Sequence, residues 1–167
     1  IVTGANQHVA FTYNDATGQV DIYIDGVAQT LTGTQPPPGT MAANPNDITI
    51  GLSPGFEGAY PYSGTVGEVR IYDDVRSAAE IAGDAAGSNL ADANLQVRLD
   101  FDAANISDDT VANQGNLGTA ADATLGTGLA GPALSFDGND IVTTADAGLA
   151  LGSSNFTIEA EFAVSTS

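Results

Sequence analysis

Glu159 and Glu161 are the residues in this chain whose types and spacing come nearest to catalysis. Two positions apart on a strand, they project from one face. Retaining glycoside hydrolysis uses a pair of carboxyls about 5 Å apart, so the spacing by itself allows that chemistry. The alternative is a solvated polar face on an ordinary half-buried strand, and this is the expectation taken forward. His8, the sole histidine, stands beside Gln7 on the polar face of another strand. No acid nearby in sequence would orient it as a general base, so it reads as a surface or edge hydrogen-bonding residue. Residues 51–55, GLSPG, satisfy the G-x-S-x-G pattern, but that chemistry needs a strand-turn-helix and a histidine partner. Pro54 and the surrounding glycines make a loop instead.

Binding chemistry is better represented. Residues 137–140, DGND, form an Asp-Gly turn of the kind that offers carboxylates and carbonyls to a hard cation; Asp-Gly also makes a tight turn with no ion at all. Phe56, Tyr60 and Tyr62 cluster in the loop 52–63, where aromatic faces could stack on sugar rings. They could equally plug the end of a β-sandwich.

The elements that must carry these residues are strands. Val9, Phe11 and Tyr13 alternate along HVAFTY, and Val20, Ile22 and Ile24 along QVDIYI, each set predicted to face inward. Asp25-Gly26 predicts a two-residue hairpin with a return strand at Val27. Pro36-Pro37-Pro38-Gly39 predicts a stiff exposed connection, and residues 47–51 a short buried strand. Residues 64–81, GTVGEVRIYDDVRSAAEI, organise the chain. Val66 and then Val69 and Ile71 share a face across a change of parity at Gly67-Glu68, which predicts a β-bulge. Ser77 and Glu80 form an S-x-x-E capping box, predicting one short helix over 77–86. Leu95, Val97, Leu99 and Phe101 alternate next, residues 133–142 predict a hairpin turning at Asp137-Gly138, and a last strand runs from Phe156 to Val164.

These motifs resemble the laminin-G-like jelly rolls of the concanavalin A-like lectin/glucanase fold. HVAFTYND…GQVDIYIDGV, DITIG and GEVRIY resemble the family's second half, and LQVRLDFD, ALSFDGNDIV and FTIEAEF its first half. Residues 1–90 thus read as a C-terminal half and 91–167 as an N-terminal half, in permuted order. Together they would make one sandwich, or halves of adjacent repeats. The resemblance implies an all-β, antiparallel two-sheet β-sandwich (a jelly roll) with one short helix, and the Leu95 strand beside the Ile71 strand. It implies a structural Ca²⁺ held by Asp102, Asp137, Gly138 and Glu68. It lacks the longer E-x-D-x-x-E motif of the fold's hydrolases.

Composition narrows the function. Twenty-one acids face three arginines and no lysine, a formal charge of −18, so nucleic acid is excluded as a partner. No apolar run approaches the roughly 20 residues of a membrane span, so no membrane insertion is expected. The absence of cysteine removes disulfides and thiolate chemistry. The expectation is a non-catalytic, extracellular or cell-surface module of a larger bacterial protein, binding a glycan or a surface protein. The alternative is a self-assembling filament or surface-layer subunit using homotypic contacts through open sheet edges.

Overall fold

A computed structural model describes residues 1–39, 48–51, 62–88, 92–99, 101, 117–121, 124–127, 131–138, 140–144 and 154–165. The strands in chain order are β1 (Gln7–Asn14), β2 (Gln19–Ile24), β3 (Val27–Ala28), β4 (Ile48–Ile50) and β5 (Ser63–Tyr72). After helix α1 (Ala78–Ala85) come β6 (Leu95–Leu99), β7 (Leu117–Ala121), β8 (Thr124–Thr127), β9 (Pro132–Asp137), β10 (Ile141–Thr144) and β11 (Phe156–Val164). They form two antiparallel sheets, the expected mostly-β sandwich. The larger runs β3-β2-β1-β11-β5-β9-β8, with β6 also paired to β5; the smaller runs β4-β10-β7.

β5 is the axis of the larger sheet. One edge pairs with β11 along nearly its whole length; the other takes β9 at its first half and β6 at its second. The bulge is where the change of parity put it: Ala160 faces Val69 and Phe162 faces Val66, so Gly67 and Glu68 together oppose Glu161. The extra residue restores the alternation, and Val66, Val69 and Ile71 all enter one core cluster.

Register then assembles whole rows of side chains. Ile22, Phe11, Ile158, Ile71 and Val97 form one row across five strands, and Ile24, Val9, Ala160, Val69 and Leu99 another. These rows face the smaller sheet. Their β5–β6 ends are buried, with Ile71 at 2% and Leu99 at 1% exposure, whereas Val9, Phe11, Ile22, Ile24 and Ile158 are only half-buried. Of the inward face predicted for β1 and β2, Tyr13 is fully buried, whereas the rest is the less covered side. Ala10 and Tyr23, on the reverse face, are buried against Ile81 of α1.

α1 is a short helix fixed at its start. Ser77 Oγ accepts from the Glu80 N–H and the Ser77 N–H donates to Glu80 Oε2 at 2.7 Å, the reciprocal capping box. The Asp25-Gly26 turn packs beneath it: a Cβ on Gly26, whose φ is +75°, would lie 2.9 Å from Ala82 Cα. The segment after β3 runs back along the outer edge of β2. Gln29 N–H donates to the Ile22 carbonyl, Val20 N–H to Gln35 Oε1, and Gly39 N–H to the Asp15 carbonyl. This proline-bearing strap shields an edge that would otherwise offer free backbone groups.

One predicted hairpin is not a hairpin. β9 lies in the larger sheet beside β5 and β8, while β10 lies in the smaller beside β4 and β7. The Asp137-Gly138 turn carries the chain across the sandwich instead. Alternation and a turn signal are the same for a hairpin and for a corner between sheets; only the partners differ.

Candidate functional site

The face of the larger sheet under α1 gathers every arginine of the chain. Across the strands, Tyr23, Ala10, Glu159, Arg70 and Arg98 form one row, and His8 stands opposite Glu161 in the next. Arg76 enters from the turn before α1, and Asp84 descends from the last turn of the helix. That carboxylate sits at the negative end of the helix dipole, and no basic residue in the helix's last turn offsets it. The sheet supplies the compensation.

Asp84 Oδ2 accepts from Arg76 Nη2 at 2.7 Å and Nε at 3.0 Å, and its Oδ1 lies 3.1 Å from Arg70 Nη1. Arg76 also pairs with Asp92 and lies 3.5 Å from Glu159 Oε1, with its guanidinium 4.0 Å above the Tyr72 ring. Arg70 Nη2 donates to Glu68 at 2.5 Å, and Arg98 closes the chain on the other Glu68 oxygen. His8 Nε2 stands 3.3 Å from Glu159 Oε2. His8, Arg70, Arg76, Asp84, Glu159 and Glu161 are all buried. Desolvation raises the Glu159 carboxyl above its ordinary value, against the His8 hydrogen bond, which lowers it. Burial pushes the Tyr72 hydroxyl up to about 12. Asp92 is held below the ordinary range, first by the Asn94 backbone N–H and then by Arg76.

Two expectations from the sequence are corrected here. Glu159 and Glu161 do not form a solvated face: they are 1% and 5% exposed, because α1 and the arginines cover that side. His8 is neither a surface nor an edge residue, being 3% exposed and partnered by an acid 151 positions away. Proximity in sequence could not reveal that pair; only the β1–β11 register does. A signal was nonetheless present. With three cations in the whole chain, Arg70 lies in the polar phase of the pivot strand, where a buried acid would need it.

The other predicted residues are placed as follows. Tyr62 belongs to the sandwich interior. Its hydroxyl donates to the carbonyls of Thr65 and Ala163, and its ring meets Phe136 and Phe162 edge-on, so it plugs the sandwich. Phe56, Tyr60 and Asp102 lie outside the described residues. Asp137 is exposed, and its N–H donates to Asp140 Oδ2 at 2.7 Å. Glu68 is not with them. Ser63 is the partner of Asp137, and five residues of strand separate Ser63 from Glu68, about 16 Å. Its carboxylate is engaged by Arg70 and Arg98. The proposed Ca²⁺ set is thus not assembled around Glu68, and among the described residues no group of three His, Cys, Asp or Glu side chains is arranged to hold a metal.

A family model of the laminin G type, described as the concanavalin A-like lectin/glucanases superfamily, matches residues 1–82. Those residues include β1, β2 and the pivot strand β5 with its bulge. Residues 1–82 are thus similar to the concanavalin A-like lectin/glucanase superfamily. No curated protein and no solved structure matches the chain. Laminin G-type domains of this superfamily are generally non-catalytic and often bind carbohydrate or mediate adhesion. In this sandwich the acid-rich cluster borders a space of about 10 Å³ between His8, Glu68, Arg70, Asp84 and Glu159. That is room for about one water molecule. A single water bridging the carboxylates fits; a sugar ring does not.

Proposed function

We infer that this chain is a non-catalytic, extracellular adhesion or carbohydrate-binding module of a larger surface protein. The observation that carries the reading is the closure of the only buried acid cluster among the described residues. Glu159, the candidate acid, is paired with His8 and Arg76 beneath α1, beside a space no larger than a water. Hydrolysis would require both carboxyls to reach a glycosidic bond. The likeness of residues 1–82 to the superfamily supports the positive half of the inference, since binding and adhesion are frequent roles there. The −18 charge suits an uncharged glycan or a basic protein surface and repels sulfated glycans.

The ligand site would draw on Phe56 and Tyr60 as its stacking residues, while Tyr62 belongs to the sandwich. A structural Ca²⁺ would draw on Asp137, the Gly138 carbonyl and Asp102, with Glu68 left to its arginines. The deciding experiment is a neutral-glycan array probed with and without Ca²⁺, alongside a hydrolysis assay on soluble β-glucans. The expected result is glycan binding lost in Tyr60→Ala, kept in Glu159→Gln, and no hydrolysis. Hydrolysis abolished by Glu159→Gln would overturn the reading.

A further inference from the structure

We propose that the apolar channel between the two sheets receives an extended β-segment of another protein, one that alternates apolar residues and carries basic flanks. The channel has a volume of about 590 Å³ and is floored by Val66, Val69, Ile158 and Phe162 of the larger sheet. Its opposite wall is β4, whose three successive residues Ile48, Thr49 and Ile50 reach it, with Gly51 just beyond the strand. A strand shows alternate residues to each face, so consecutive residues along the lining mean that the channel passes around the strand's edge. β4 pairs with β10 along one edge; the other has no partner strand among the described residues. An unpaired edge beside an apolar trough is the geometry of strand addition. Main-chain hydrogen bonds hold the incoming strand, and the trough takes every second side chain.

Charge selects the partner. None of the channel-lining residues is charged, and all three arginines are engaged by Glu68, Asp84, Asp92 and Glu159 on the far side of the sheet. Exposed Asp137 stands opposite Ser63, next to Tyr62 at one end of the channel. A second copy of the chain would bring a further charge of −18 against the first. An aliphatic molecule would fill the trough but make no hydrogen bond to the edge of β4 that has no partner among the described residues. A strand with lysine or arginine flanks satisfies the trough, the edge and the field together.

The test uses the intact chain and a fluorescein-labelled synthetic peptide of alternating valine and threonine between lysine pairs, titrated by fluorescence anisotropy. Saturable binding is expected, weakening roughly tenfold from low to high salt. Ala160→Trp, which fills the channel, is expected to weaken binding roughly tenfold or more while the far-UV circular dichroism stays unchanged; Val69→Phe serves if that variant does not fold. A peptide N-methylated at alternate residues should fail to bind, since strand addition requires its N–H groups. Absence of binding would overturn the proposal, as would binding indifferent to N-methylation or to channel filling. So would dimerisation of the chain alone by light scattering, or stoichiometric uptake of a fluorescent fatty acid in place of the peptide.

Discussion

Replacing Arg76 by methionine should be the most damaging single change on the α1 face. The side chain is 1% exposed and makes two hydrogen bonds to Asp84, an ion pair to Asp92 and a contact with Glu159, while stacking on Tyr72. Methionine keeps much of the volume and removes the charge. Asp84 retains Arg70, but the cluster then holds its buried acids with one cation fewer. Breaking a buried pair by removing one partner costs about 3–5 kcal/mol, and the lost stacking on Tyr72 adds of order 1 kcal/mol. Against a typical total of about 5–15 kcal/mol, that is a large fraction. For a chain of this size each kcal/mol moves Tm by about 2–4 °C, so a combined loss of about 4–6 kcal/mol lowers it by roughly 8–24 °C. Urea titration followed by tyrosine fluorescence and circular dichroism gives the free energy directly. Adding Asp84→Asn to Arg76→Met should cost less than the sum of the two single changes, because it removes the stranded charge. A loss below about 1 kcal/mol for the single variant, or strict additivity in the double, would show that the cluster behaves as a surface ion pair and would refute the reasoning.

Three further outcomes follow from the same face. Ser77→Ala removes the acceptor of the capping box and should cost about 1 kcal/mol in urea melts, because so short a helix has little else to hold its first turn. Gly26→Ala adds a Cβ that meets Ala82 Cα at 2.9 Å on a backbone with φ of +75°, and should cost about 1–3 kcal/mol, read as a lower urea midpoint. Burial raises the Glu159 carboxyl above its ordinary 4.5, so the folded chain holds that proton more tightly than the unfolded one. Its contribution to stability is present below the ordinary value and is lost as pH rises through the raised one. The stability of the native chain relative to Glu159→Gln should therefore fall with rising pH across that window. Asp92 and Glu80, which are lowered and act in the opposite direction, are common to both proteins and cancel in the difference. A difference flat with pH would sink this reading.

The parts of the fold that could be read from sequence are those governed by neighbours a few residues apart. The bulge at Gly67-Glu68 is a local break of parity, the Ser77–Glu80 box a spacing of three, and the Asp25-Gly26 turn a dipeptide. The errors concern faces and partners. Periodicity of two separates a strand's faces, but does not say which face a helix will cover. β1 and β11 alternate cleanly, yet their polar faces are the better buried because α1 lies on them and Arg70 and Arg76 neutralise what lies beneath. The turn at Asp137-Gly138 was legible as a turn and illegible as a crossover, because β9 finds β5 more than sixty residues upstream. His8 and Glu159 were each visible; their meeting was not.

That buried cluster also bears on strand register, which follows from where β11 sits. This strand lies between β1, from the opposite end of the chain, and β5, from its middle, so no hairpin fixes its register. A slip of one residue exchanges the faces of a strand. It would drive Glu159 and Glu161 into the apolar rows beside Val9 and Val69, and set Ile158 and Ala160 against Asp84 and Arg76. Both halves of that exchange are costly, one through unpaired buried charge and the other through cations left without acids. An apolar pair in place of the ions could be as stable, but it would be indifferent to the slip. The enzyme-like composition of this face is accounted for as a register lock, holding β11 so that its reverse side presents Ile158, Ala160 and Phe162 to the channel.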